Sequence, residues 1–379
     1  MPRAILHVMR SPVGGLFRHV VDLAREQSAR GHRVGIVADA STGGERAAGI
    51  LTALDAELAL GVTRVAMSRD LGPSDWSAGR HVARRLAAMN VDVVHGHGSK
   101  GGAYARLVGG DRLKVYTPHG GSLHYSRRTP VGLVYLTLER LLAARTDLFL
   151  FESAFGRDAF RAKVCEPKGL VKVVHNGVGP AEFEPVARLD ATAAPGAAAM
   201  TDLLFIGELR HLKGVDVLID AIAELRRHGR RLTATLVGAG PDAGLFQDQA
   251  ERLGLTGSII WPGALPAREA FARGRLMVVP SRAESLPYVV LEAGAAGLPQ
   301  IATAVGGIGE IFGPDAGLLI RPGDALALAA AIAASLDDPA AAEASAARLR
   351  ERIGREFSIA AMTDGVLAAY DEALGRRAV

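Results

Sequence analysis

Glu284 and Glu292 stand in the run PSRAESLPYVVLEAGA, residues 280–295, and their settings differ. Pro287 suits the first turn of a helix, where its missing N–H would be unpaired anyway, so Glu284 falls in the loop just before that helix. Glu292 lies inside a segment that is apolar nearly all round, and the pattern predicts it buried. A buried carboxylate is costly unless it is hydrogen-bonded. It can accept bonds from two neighbouring hydroxyls, the arrangement a ribose diol presents. Glu284, beside a helix N-terminus, is placed to bind further hydroxyls. A second group is cationic. Residues 207–214 read GELRHLKG, and Lys213 is the only lysine after Lys172 in a chain with six. Cations at a helix N-terminus oppose the macrodipole, so Arg210 and Lys213 are unfavourable there unless an anion sits between them. A diphosphate would satisfy both, and solvated surface charge is the alternative.

Three further loops are rich in glycine or histidine. Arg10-Ser11-Pro12-Val13-Gly14-Gly15 lets backbone approach a ligand at a helix N-terminus, or makes an ordinary strand-to-helix turn. His95-Gly96-His97-Gly98-Ser99-Lys100-Gly101-Gly102 and Tyr116-Thr117-Pro118-His119-Gly120-Gly121 each follow a candidate strand. A histidine there can offer a hydrogen bond or a proton, a role expected of His119. His95, His97, His119 and His124 are conceivable metal ligands, but no carboxylate sits at ligand spacing and zinc spacing is absent. Residues 238–243, GAGPDA, mimic a dinucleotide fingerprint. The acidic residue that the fingerprint needs after the next strand is missing, so a tight turn is expected, with Pro241 in the first helical turn.

These loops need a scaffold that holds strand ends side by side. Short β-branched runs at 4–9, 33–38, 63–67, 92–95, 114–117, 147–151 and 171–174 alternate with helical patterns. A second series follows at 203–206, 232–237, 258–261, 276–279 and 300–303. Such alternation implies parallel sheets covered on both faces. Between the series, PVARLDATAAPGAAAMT (185–201) has no periodicity and reads as a linker. The expectation is therefore an α/β chain of two doubly wound domains, 1–184 and 202–357, facing a central cleft, with 358–379 as a terminal helix.

Composition agrees. The chain has 379 residues, 49% hydrophobic, 22% charged, with mean hydropathy +0.18, enough for two cores. One cysteine, Cys165, excludes a disulfide framework. The N-terminal apolar run is too short for a signal peptide and no stretch is long enough to span a membrane, so a cytoplasmic protein is expected. Residues 1–184 carry 25 basic and 17 acidic side chains, the remainder 19 and 23. A basic half suits an anionic surface or substrate. Nucleic acid is disfavoured, because aromatics are 5% and no compact basic run is interleaved with them.

Taken in order, VGGLFRHVVDLAREQSARGHRV, DVVHGHGSKGGAYARL, YTPHGG, VVHNGV, GELRHLKGVDVLIDA, the Glu284–Glu292 pair and REFSIAAMTDGVLAAYDEAL resemble retaining glycosyltransferases of family 4, which have the two-Rossmann GT-B architecture. The resemblance covers essentially the whole chain. It implies that Arg210 and Lys213 bind the diphosphate of a UDP- or GDP-linked sugar and that Glu292 binds the ribose. Glu284 and the backbone of Ser285, Leu286 and Pro287 would hold the transferred hexose. Gly14, Gly15 and His119 would contribute from the N-terminal domain, Glu284 and His119 acting as electrostatic and positioning groups. Many members have arginine where Glu208 stands, and Arg210 would take over that role. The last helix would cross back onto the first domain. The acceptor would be lipid-linked or a polysaccharide. A nucleotide-sugar epimerase of similar fold and a non-catalytic sensor are the alternatives.

In the first half, HYSRRTPVGLVYLTLERLLAAR (124–145) mixes leucine with arginine. It can rest on an anionic inner membrane face or simply cover a sheet. No Asp-x-Asp motif is present, so neither metal nor other cofactor is expected, and the leaving diphosphate must be stabilised by Arg210, Lys213 and backbone N–H groups. Transfer activity is therefore expected to persist in excess chelator. Loss of activity that Mg²⁺ or Mn²⁺ restores would contradict this.

Overall fold

The computed structural model describes residues 2–70, 72–187 and 200–377. They divide into two compact units, residues 1–177 with 359–379, and residues 178–358. The first unit runs β1 (Ala4–Met9), α1 (Gly14–Ala29), β2 (Arg33–Asp39), α2 (Gly44–Glu57), β3 (Val62–Val65), α3 (Ser74–Ala87), β4 (Val93–His97), α4 (Gly98–Leu107), β5 (Leu113–Thr117), α5 (Pro130–Ala143), β6 (Leu148–Phe151), α6 (Ala154–Lys163) and β7 (Leu170–Val173). The second runs β8 (Thr201–Ile206), α7 (Val215–Arg227), β9 (Ala234–Val237), α8 (Ala243–Arg252), β10 (Ile259–Gly263), α9 (Ala267–Phe271), β11 (Gly274–Val279), α10 (Tyr288–Ala295), β12 (Gln300–Ala302), α11 (Ile308–Phe312), α12 (Ala325–Asp337) and α13 (Pro339–Glu356). The terminal helix α14 (Ile359–Arg377) belongs to the first unit.

Both sheets are parallel. The first has strand order β3-β2-β1-β4-β5-β6-β7 and the second β10-β9-β8-β11-β12. In each, the order reverses beside the unit's first strand, between β1 and β4 and between β8 and β11, which opens a crevice at the carboxyl ends of that pair. Helices cover both faces, so β1 and β4 are buried along their full length. That burial makes their histidines conspicuous.

Close approach explains several glycines. A Cβ on Gly101 would lie 2.4 Å from the Val8 carbonyl oxygen, and one on Gly102 2.2 Å from the Tyr116 ring. Only glycine lets α4 sit this close to β1 and β5. Helix α14 packs on α1, β5 and β6. Arg3 pairs with Asp371, Arg30 with Asp364, and Lys172 with Glu372 at 2.6 Å.

The expected strands are present, with boundaries that move by a residue or two. The linker expectation, 185–201, lies largely outside the described residues, and its last residue, Thr201, already begins β8. Helix α8 starts at Ala243, so Pro241 lies in the preceding turn rather than in the first helical turn.

Candidate functional site

In the second unit, β8 and β11 are neighbours, so the loops that follow them meet. Lys213 Nζ donates to both oxygens of Glu284, at 2.7 and 2.9 Å, and the Ser281 hydroxyl donates to Oε1 at 2.7 Å. Arg282 braces the same junction, donating to both Asp216 oxygens at 2.7 and 2.6 Å and to the His211 carbonyl at 2.8 Å. Two glycines make this fit sterically possible. Gly214 has φ +70° and its Cβ would lie 1.9 Å from the Pro280 oxygen, while Gly306 has φ +58° and its Cβ would lie 2.1 Å from the Glu284 oxygen. The Gly307 amide also donates to the Ser285 carbonyl at 2.6 Å.

Several expectations are corrected in detail. Arg210 and Lys213 do not stand on the first turn of α7. Arg210 precedes a short 3-10 turn, His211–Lys213, that Lys213 ends, and α7 begins after the left-handed Gly214. Each cation has a carboxylate partner, Glu208 for Arg210 at 3.1 Å and Glu284 for Lys213, which relieves their mutual repulsion. Glu292 is on α10, as the pattern implied, but it is only half-buried. Pro287 caps α10 rather than entering it. Leu286 is buried behind the loop. The GAGPDA turn packs on residues 207–211: the Asp242 amide donates to the Leu209 carbonyl at 3.1 Å, and the Asp242 carboxylate accepts from the His211 amide at 2.7 Å. A Cβ on Gly240 would meet Leu209 oxygen at 2.3 Å, so that glycine serves backbone packing.

In the first unit, Gly14 (φ +63°) and Gly15 open α1 with solvent around them. Next to them, the alignment of β1, β4, β5 and β6 gathers a cluster that sequence reasoning largely missed. His7 pairs in register with His95, and His97 with Thr117. His7 Nδ1 meets His97 Nε2 at 2.9 Å, His97 Nδ1 meets His119 Nε2 at 3.0 Å, and His119 Nδ1 meets Glu152 Oε1 at 3.1 Å. The Gln27 amide meets His7 Nε2 at 2.8 Å, and Asn176 Oδ1 meets His19 Nδ1 at 3.0 Å. His95 bonds Tyr370 at 2.7 Å and Thr117 at 2.8 Å. The side chain of His124 is outside the described residues.

The expectation that His119 offers a ring nitrogen to a ligand meets an obstacle, because both of its ring nitrogens are engaged within the unit. It is also the sole non-glycine among the described residues with positive φ, +52°, and Gly120 and Gly121 follow at +74° and +29°. Such a backbone costs about 1–3 kcal/mol and persists only where the surroundings hold it. Here the surroundings are polar and buried. The Arg106 guanidinium donates to Glu139 at 2.9 Å, and Glu139 also accepts from Tyr116 and Ser122 at 2.7 and 2.9 Å, which fixes the turn after Gly121.

His7, His95 and His97 form one set whose possible ligand atoms lie within 4.8 Å of one another, and His19, His97 and His119 form another. Spacing along the chain did not reveal either set, because adjacent parallel strands assemble them.

Two doubly wound parallel sheets with polar groups gathered at the strand ends match the GT-B architecture. Sucrose-phosphate synthase from Thermosynechococcus elongatus has this fold, with TM-score 0.80 and 21% identity, covering 99% of this chain and 100% of that one. So does Anabaena Alr3699/HepE in complex with UDP and glucose, at 0.79 and 21%, covering 98% and 100%. Residues 13–182 match the family described as Glycosyltransferase Family 4, and residues 201–338 match Glycosyl transferases group 1. D-inositol 3-phosphate glycosyltransferase 1 of Catenulispora acidiphila is 30% identical over 404 residues, 98% of this chain and 96% of that protein. Glycogen synthase of Mycobacterium tuberculosis H37Rv is 28% identical over 376 residues, 91% and 88%. The chain belongs to glycosyltransferase family 4, group 1.

Burial lowers the His7 pKa to about 4 and, with the His119 charge adding to it, the His19 pKa to about 3. A histidine depressed in the fold is protonated first in the unfolded chain, so its stabilisation is complete above pH 6.5 and declines as pH falls below that. Between pH 7 and pH 5, His7 and His19 alone should remove on the order of 4 kcal/mol, because the full slope of about 1.4 kcal/mol per pH unit each applies only below the unfolded value of 6.5. Urea midpoints for the first unit should fall over that range, and a flat profile would contradict the burial account.

Proposed function

We propose that the protein is a retaining hexosyltransferase that takes a UDP- or GDP-linked sugar and passes the hexose to a lipid-linked or polysaccharide acceptor, with no metal or other cofactor. The observation that carries this reading is the Lys213–Glu284 pair at the β8/β11 reversal. The pair is a cation and a hydroxyl acceptor held together before the donor arrives. On binding, the diphosphate takes the Lys213 ammonium, with Arg210 as the second cation, and Glu284 accepts hydroxyls of the sugar. Glu292, one helix turn or more beyond the loop, accepts the ribose diol. Backbone of Ser285, Leu286 and Pro287 lines the sugar. Charge developing on the leaving diphosphate then meets fixed donors, the largest contribution such a site can make. That Anabaena Alr3699/HepE was solved with UDP and glucose supports the donor class.

A lipid-linked acceptor is favoured by α5. Leu136 and Ala143 face the sheet, but Val131, Leu133 and Leu141 are 55%, 54% and 65% exposed. Beside α5 lies a cavity of about 810 Å³ lined by Trp76, Tyr104, Leu107, Leu138 and Leu142, with Arg80 and Arg145 among its walls. Leucines that merely covered the sheet would be buried. Among the described residues no single helix is long and apolar enough to cross a membrane, and the contact proposed is a peripheral, salt-sensitive one at the cytoplasmic face.

Two experiments test these assignments. In a donor panel read by thermal shift, one nucleotide sugar at about 100 times its dissociation constant should add about 2.7 kcal/mol of stability. Lys213→Gln, which keeps a hydrogen-bond donor for Glu284 but removes the charge, should weaken that donor by about tenfold or more. Unchanged affinity would remove Lys213 from the site. In liposome co-sedimentation, the protein should pellet with anionic vesicles at low salt and be released by about 0.5 M salt, where the Debye length is a few ångströms. Equal pelleting with neutral vesicles, or none with anionic ones, would refute the membrane contact.

A further inference from the structure

We infer that Glu152 sets the direction of a buried hydrogen-bonded chain, Glu152–His119–His97–His7–Gln27, and that His97, His7, Gln27 and Glu152 are positioning residues that hold His119 in its Nδ1–H tautomer. The argument is proton counting. The chain has four links, and each needs one hydrogen. Three neutral imidazoles bring three. The carboxylate of Glu152, buried at 5% exposure, can only accept. His119 Nδ1 must therefore donate to Glu152, which leaves His119 Nε2 bare. That nitrogen accepts from His97 Nδ1–H, His97 Nε2 accepts from His7 Nδ1–H, and His7 Nε2 requires a donor. The fourth hydrogen can come from the Gln27 amide nitrogen.

The two faces of that amide are not equivalent. With its oxygen toward His7, the chain needs an imidazolium in the interior and the Gln27 nitrogen is buried without a partner. With its nitrogen toward His7, every link is satisfied by neutral rings. Burial disfavours that imidazolium, which selects the second arrangement. The groups around the chain are compatible with it: His19 stacks edge-on to His119 at 4.8 Å, His95 lies 3.9 Å from His97, and Asn176 and Thr117 hold those two rings.

This arrangement has two consequences. His119 has no ring nitrogen to spare for a proton transfer to substrate. A divalent ion on His19, His97 and His119 would compete with the hydrogen bond between His97 and His119.

The test uses the full chain labelled with ¹⁵N-histidine and reads ring tautomers by long-range ¹H–¹⁵N correlation at pH 7, so its outcome does not depend on the transferase reading. His7, His97 and His119 should each show a protonated Nδ1 and a bare Nε2. An imidazolium, or an Nε2–H tautomer at His97 or His119, would overturn the inference. So would stoichiometric uptake of Zn²⁺ that His97→Ala abolishes. In Glu152→Gln the terminal amide can donate as well as accept. The His119 tautomer ratio should then fall from at least about tenfold, the factor a hydrogen bond to a charged acceptor commands, toward parity. A ratio unchanged in that variant would show that Glu152 does not set the direction.

Discussion

A polar group removed from water must find a partner, and at the carboxyl edge of the first sheet this requirement governs the local architecture. Parallel strands β1, β4, β5 and β6 lie side by side, so their last residues share one buried edge. His7, His97, His119 and Glu152 reach that edge from four strands or the residues just past them, and their satisfaction is mutual. The left-handed backbone at His119 is part of the same arrangement. It turns the ring back between Glu152 and His97, and the Arg106–Glu139–Ser122 network holds the next turn in place.

The second unit applies the same requirement to a salt bridge. Glu284 is nearly buried, so it needs Lys213 and Ser281. Holding Lys213 there requires a loop that comes close to the Pro280 carbonyl, and only glycine at 214 permits that approach. A cation and a carboxylate stored together are a compact way to keep both poised for an incoming anion with hydroxyls. Desolvating such a pair costs several kcal/mol per ion before attraction offsets it, which argues for a role beyond stability.

The two units use one topology with different contents. In each, the reversal beside the first strand collects the polar loops, as expected of doubly wound sheets. The first unit gathers imidazole rings around a single carboxylate, and the second gathers arginine, lysine and glutamate. That division is the ground for proposing that the second unit handles a charged donor. The exposed apolar face of α5 distinguishes the first unit further, because a helix that only roofed a sheet would hide Leu133 and Leu141.

The sequence by itself determined the fold class, the strands and the second-unit loop residues, because each rests on local signals. Alternation of β-branched runs with helical periods, a proline at a helix start, and glutamates in or before an apolar helix can all be read within a window of a dozen residues. It also determined the family through the order of its motifs. The partners were another matter. Lys213 and Glu284 are far apart in the chain, and nothing local says that they pair; β8 lying beside β11 decides it. His7 reads as one more residue of a buried strand, and Glu152 as a strand end. Only the register of four parallel strands puts them in line with His97 and His119. Spacing along a chain encodes neighbours within one helix or strand, whereas the hydrogen-bond network of a parallel sheet is set by crossovers, and those exist only once the chain has folded.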